Sequence, residues 1–284
     1  GTGEFIDTVN DAVASDVVVL SDGSFVIAGT IQINNKGALF VAKFTNTCSF
    51  DATFGNNGVA TYSAGDGTSA RALTVQTDGK IIVVGDEYPT VSDSNDQRIL
   101  VARFGAAGII DNSFGINGRF ISTANQKGQA QDVVIDSSGR IIFTGSIVGT
   151  LAPDAAIVGR LTRNGQLDST FATLGYFINE FNGDAQLDAI DIRPNGNLVA
   201  IGTHVVSYST GPQNALIVCL TDQGALDSTC NSVGWDFLSD FPNDVYADDV
   251  FVTPDNKILF SGASDDGNPR PFVMRLNHNG TPDN

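Results

Sequence analysis

Five aspartates stand at the start of short apolar runs: Asp16, Asp132, Asp188, Asp248 and Asp249. Carboxylates gathered in one place support two kinds of chemistry. In pairs they hydrolyse glycosidic bonds, one acting as general acid and the other as base or nucleophile. Without histidine partners they hold a hard cation such as Ca²⁺. The first kind needs aromatic walls and an environment that raises the pKa of the acid. The chain has one tryptophan, Trp235, set in an outermost-strand segment. The expectation is that the chain is not an enzyme and needs no cofactor, with Ca²⁺ at the five aspartates as the candidate metal. A glycoside hydrolase with a central acidic pocket is the least favoured reading.

The rest of the reactive inventory is small. Two histidines, His204 and His278, make no His-rich zinc site and leave little for a Ser-His-Asp arrangement. Three cysteines, Cys48, Cys219 and Cys230, lack Cys-x-x-Cys spacing and are too few for a disulfide framework. Thirty-two acidic against 15 basic residues give a net charge of −17 over 284 residues, so nucleic acid would be repelled. No run reaches the roughly 18 apolar residues of a membrane helix, and Gly1 to Asn10 lack the order of a signal peptide. The chain is expected to be soluble, without membrane insertion, and either mature or cut from something larger.

What must position these residues is a phrase that recurs five times. Its opening reads ASDVVVLSDGSFVIAG (14–29), ARALTVQTDGKIIVVG (70–85), AQDVVIDSSGRIIFTG (130–145), LDAIDIRPNGNLVAIG (187–202) and ADDVFVTPDNKILFSG (247–262). A second phrase carries a basic residue in four copies: Lys43, Arg103, Arg160 and Arg275. A third reads FDATFGNNG, IDNSFGING, LDSTFATLG and LDSTCNSVG, each followed by a short apolar segment. Each copy thus holds four short runs rich in Val, Ile, Phe and Thr, punctuated by turn residues, which is strand chemistry. The pairs Asp22-Gly23, Asp78-Gly79, Ser138-Gly139, Asn195-Gly196 and Asp255-Asn256 suit tight two-residue hairpin turns.

Four antiparallel strands per copy, nearly continuous in apolar character, are expected of sheets packed on both faces. The fold class predicted is all-β, a five-bladed β-propeller with blades at about 12–64, 65–125, 126–182, 183–240, and 241–284 with 1–11. The fifth copy stops at TPDN, and GTGEFIDTV at residues 1–9 matches the missing end, so this N-terminal strand is expected to close the ring.

The phrase A-x-x-V-x-V-x-x-D-G-K-I-x-V-x-G, then V-A-R-F, then D-x-S-F-G-x-x-G, clearest at 70–118, resembles the delta-60 repeat family of bacterial β-propellers. The resemblance spans essentially the whole chain. It implies a large secreted or cell-surface bacterial protein, and so a partner domain or assembly. The fourth copy departs from the pattern, with Cys219 in place of the basic residue and Cys230 in place of the Phe. A disulfide between these two or a pair of buried thiols both fit.

Residues repeated in every blade build the blade. The basic residues and the aspartates eight positions on (Asp51, Asp111, Asp168, Asp283) are expected to pair and fix a loop, with Asp227 at the same place in the fourth copy. The Phe of Phe54-Gly55 and Phe114-Gly115 is expected to plug between blades. Unrepeated residues decorate the scaffold, and they concentrate between the second and third strands at 30–38, 86–98, 146–155, 203–214 and 263–271. Tyr88, Asn95, Asp96, Tyr208, Asn214 and Arg270 there, with Tyr246 nearby, offer aromatic and amide chemistry suited to a glycan or a cell-surface protein. The expected function is extracellular binding or adhesion through this face, the alternative being a structural spacer in a larger surface protein.

Overall fold

The structure, a computed structural model, describes residues 11–89, 96–123, 126–148, 154–205, 213–238, 244–265 and 267–283. Among them the regular structure is all strand, in five antiparallel sheets. The first sheet is β1 (Ala12–Val19), β2 (Phe25–Ile33), β3 (Lys36–Phe44) and β4 (Val59–Tyr62). The second is β5 (Gly67–Val75), β6 (Ile81–Tyr88), β7 (Arg98–Phe104) and β8 (Arg119–Ile121). The third is β9 (Gly128–Ile135), β10 (Ile141–Ile147), β11 (Ala155–Leu161) and β12 (Tyr176–Asn179). The fourth is β13 (Asp184–Ile192), β14 (Leu198–Val205), β15 (Gln213–Leu220) and β16 (Trp235–Leu238). The fifth has three described strands, β17 (Asp244–Val252), β18 (Ile258–Asp265) and β19 (Pro269–Leu276). Sequence-adjacent strands pair throughout, so each sheet is a propeller-like meander, and the five fit a five-bladed propeller. The expected closing strand at 3–9 lies outside the described residues.

The backbone forms two compact units, Gly1–Ala130 with Asn164–Gln166, and Gln131–Arg163 with Leu167–Asn284. In the first, Val26, Leu39, Val41 and Phe54 pack against Leu73, Ile81, Val83 and Leu100. In the second, Val158, Phe171, Ile190, Leu198 and Val218 form one core, and Ile201, Ile217, Val245, Ile258 and Phe260 another. β11 is buried at all seven positions, which explains a strand sequence without alternation.

The turn between first and second strands differs from the expected two-residue type. Only the second residue of each pair has positive φ, as at Gly23 (80°), Gly79 (78°), Gly196 (87°) and Asn256 (64°). The amide of Gly79 donates to Gln76 O at 2.8 Å and that of Gly196 to Arg193 O at 2.8 Å. This is a three-residue loop in which a left-handed residue follows a type I turn. Ser21, Thr77, Ser137, Pro194 and Pro254 thereby take the turn position that proline favours.

The first strands β1, β5, β13 and β17 each carry a bulge, between Ala14 and Asp16, Ala70 and Ala72, Leu187 and Ala189, and Ala247 and Asp249. The bulge drives the strand into its neighbour. A Cβ on Gly29, Gly85, Gly202 or Gly262 would lie 2.0 Å from the carbonyl oxygen of Val13, Ser69, Gln186 or Tyr246 respectively. The glycine that ends these four opening phrases is therefore required by close backbone approach, since none of the four has positive φ.

Candidate functional site

The repeated charges do pair. Lys43 Nζ lies 3.0 Å from Asp51, Arg103 Nη2 2.9 Å from Asp111, Arg160 Nε 2.8 Å from Asp168, and Arg275 Nε 2.5 Å from Asp283. Each of the first three aspartates also caps its own loop. The hydroxyls of Thr53, Ser113 and Thr170 donate to them at 2.6 Å, and so does Thr229 to Asp227. The Thr53 hydroxyl and then Lys43 hold Asp51 down at about 2. The Ser113 hydroxyl leads the set that holds Asp111 at about 2. Burial pushes Asp168 upward, but Thr170 and Arg160 outweigh it and keep the carboxyl below its ordinary value. The guanidinium of Arg103 also covers the Phe114 ring at 4.7 Å, and Arg160 the Phe171 ring at 4.6 Å. These residues fix the scaffold.

The fourth sheet achieves the same end differently. Cys219 and Cys230 form a disulfide, with Cα atoms 6.2 Å apart. Arg193, buried in the turn after β13, brings Nη2 to 3.4 Å from Cys219 Sγ and 3.8 Å from Cys230 Sγ. Its Nη1 donates to His278 O at 2.7 Å, in the turn equivalent to the one where Arg160 Nη1 reaches Asp222 O. Asp227, left without the strand-borne cation, takes Asn197 Nδ2 at 2.8 Å. Arg193 stands where the second copy has Gln76, and that mismatch was the available signal.

The first-strand aspartates act mainly as backbone acceptors. Asp16 takes the amides of Val17 at 2.7 Å and of Leu73, in the neighbouring sheet, at 2.8 Å. Asp132 takes Val133 at 2.7 Å and Ile190 of the next sheet at 2.8 Å. Asp249 takes Val250 at 2.8 Å, Asp248 is the exposed bulge residue of β17, and Asp188 accepts from Gln186 Nε2. Asp191, which the repeat pattern did not single out, takes Ile192 at 2.7 Å and Val252 at 2.6 Å, and burial raises its pKa. Among the described residues no three His, Cys, Asp or Glu side chains gather into a group able to hold a metal.

At the variable ends of the sheets, strands run further than the sequence suggested. β2 and β3 are joined by Asn34 and Asn35 alone, at φ 52° and 62°, so most of 30–38 is hairpin. Tyr88 ends β6, half-buried, its carbonyl accepting from Asp66 N at 2.6 Å, and burial raises its pKa. Asp96 is gripped by Arg98 through Nε at 2.9 Å and Nη2 at 2.7 Å, a pair that anchors the start of β7. Asn214 pairs with His204 across β14 and β15, and Arg270 with Ser264 across β18 and β19. Asn95 and Tyr208 lie outside the described residues.

Tyr246 is the expected residue that reaches a cavity. In the second unit a cleft of about 320 Å³ opens at this end of the sheets. Asp184, Ala185 and Gln186 from β13 form its floor with Thr203 and Val205 of β14. Asp154 before β11, Gln213 of β15 and Tyr246 of β17 complete it. Asp184 Oδ1 accepts the Asp154 amide at 2.8 Å, tying the third sheet to the fourth. The Gln213 amide donates to Asp244 at 2.9 Å, tying the fourth to the fifth. Asp154, Thr203 and Gln213 fall within the variable segments, whereas Asp184 and Gln186 precede the fourth opening phrase and carry no repeat signal. His204, one position along β14 from two lining residues, is buried on the other face and stacked on Phe237 at 4.2 Å. Burial lowers its pKa.

Three stretches, 20–54, 76–114 and 253–284, match the family model described as "Domain of unknown function (DUF5122) beta-propeller". The match supports a β-propeller family, while the delta-60 name rests on the repeat phrase. No curated protein matches the chain. Among solved structures, a protein of unknown function from Dyadobacter fermentans is 13% identical, with TM-score 0.57, over 95% of this chain and 80% of that one. A glucose dehydrogenase is 12% identical, with TM-score 0.53, over 93% of this chain and 81% of that one. At these identities the likeness shows the fold alone.

Proposed function

We propose that the chain is a non-catalytic extracellular binding module that recognises a glycan, on its own or on a cell surface, through the variable-loop ends of its sheets. The observation that carries this reading is the cleft of about 320 Å³ at that end, lined by carboxylate, amide, hydroxyl and tyrosine groups. Its size falls at the lower edge of the roughly 300–1,000 Å³ typical of small-ligand sites. Hydroxyl-rich ligands are matched by such groups, because a tyrosine offers a flat apolar face and the amides offer both donors and acceptors. The buried Cys219–Cys230 bridge suits an oxidising compartment. In the same reading, residues 3–9 supply the fourth strand of the fifth sheet, the place that β4, β8, β12 and β16 fill in the others.

A glycan array probed with the purified chain, beside a whole-cell binding assay, tests the proposal. Saturable binding to a defined set of saccharides, lost in Tyr246→Ala, is expected. Silence on the array and on cells would favour a structural spacer, and turnover of chromogenic glycosides would favour a hydrolase.

A further inference from the structure

The cleft of the second unit has one-sided chemistry. Its side chains bring two carboxylates, Asp154 and Asp184, with the amides of Gln186 and Gln213, and among the described residues that line it there is no lysine, arginine or histidine. Ionised carboxylates only accept hydrogen bonds. Asp184 takes the Asp154 amide on Oδ1 at 2.8 Å, the one hydrogen bond to its carboxylate among the described residues. Gln186 cannot turn freely to offset this, because its Nε2 donates to Asp188 and its Oε1 faces Ser146 Oγ at 3.5 Å. The bulge residue Asp188 is thus a positioning residue for the amide of the cleft floor.

An acidic saccharide entering here would set its own anion against two carboxylates, in a chain of net charge −17 with no cation among the described residues that line the cleft. A ligand rich in donors fits, and a charged donor fits best, since hydrogen bonds to an ionised partner are about twice as strong as neutral ones. We infer that the cleft takes an amino sugar, its protonated amine held between the carboxylates of Asp154 and Asp184 and its ring against Tyr246. The inference rests on the glycan reading above and narrows it to one charge class.

The test compares two probes of equal length that differ only in the amine: a glucosamine tetramer and an N-acetylglucosamine tetramer, titrated calorimetrically into the whole chain. The glucosamine form should bind at least about tenfold more tightly and weaken as salt rises. Asp184→Asn keeps the acceptor for the Asp154 amide while removing the charge, so it should erase that preference without unfolding the sheet. Asp78→Asn, the same charge change in a turn of the first unit, should leave it intact. Equal or tighter binding of the N-acetylated form, or a preference that survives Asp184→Asn, overturns the inference. If a neutral glycan binds and Tyr246→Ala removes that binding, the amine inference falls and the glycan reading stands. If no saccharide binds at all, both fall.

Discussion

Arg193 holds Nη2 3.4 Å from Cys219 Sγ, so the fourth sheet keeps a guanidinium beside the position from which the repeat has lost one. The second sheet has Gln76, Arg103 and Phe114 where the fourth has Arg193, Cys219 and Cys230. Cys219→Arg alone should crowd two buried cations and break the bridge, a loss of about 3–5 kcal/mol. Adding Arg193→Gln and Cys230→Phe rebuilds the combination of the second sheet and should recover most of it. Denaturant midpoints of the single and triple variants, both under reducing conditions, check this.

The loop aspartates make stability depend on acid. Asp51 and Asp111, held at about 2, have folded pKa values below the unfolded value of about 3.9. Their contribution is complete above about pH 4 and is lost as pH falls toward 2. Asp111→Asn should flatten the fall in stability over that window relative to the parent. An unchanged slope in acid-unfolding curves would show that the Ser113 and Arg103 contacts do not favour the ionised form.

Gly85→Ala should destabilise by about 1–3 kcal/mol or more, because the new methyl meets Ser69 O at 2.0 Å. Gly267, with φ of 94° and nothing within 4 Å, provides the contrast. There an alanine suffers only the left-handed backbone cost of about 1–2 kcal/mol. Thermal midpoints of the two variants separate steric from conformational need for glycine.

The fold was legible because period and punctuation repeat. Five copies of one phrase fix strand number, and the in-step recurrence of Arg103 with Asp111 and Arg160 with Asp168 fixes a contact from spacing alone. What escaped were features that depend on the third dimension. Gln76 and Arg193 occupy one repeat position, yet only the packed sheet shows that its side chain approaches the third strand. The first-strand aspartates look like an acidic ring in sequence, and only the structure shows that Asp16, just past the bulge of β1, and Asp132 accept the amides of Leu73 and Ile190 in the neighbouring sheets. Of the cleft, the variable segments contained Asp154, Thr203 and Gln213, whereas Asp184 and Gln186 arrive from the far side of the turn into the next sheet.

Removing residues 1–9 should lower the thermal midpoint and broaden unfolding, because β19 would keep an unpaired edge. Within the second unit Val273 is 73% exposed, whereas Val41, Val101, Val158 and Ile217 at the same repeat position are fully buried. Within the first, Val17 is 54% exposed, against 3% for Leu73. Covering such faces is what closure of the repeat would do. Unfolding of the truncated chain with unchanged midpoint and cooperativity would contradict it.

The most direct measurement of the central claim is a titration of the strongest array glycan against three forms of the whole chain: the parent, Tyr246→Ala with Gln186→Ala in the cleft, and Asp78→Asn with Asn195→Asp in the turns after the first strands. Loss of the stacking ring and the fixed amide should weaken binding by at least about tenfold, while the turn variant binds as the parent does. A cleft variant that binds like the parent, beside a turn variant that does not, would place recognition at the opposite ends of the sheets and contradict the account.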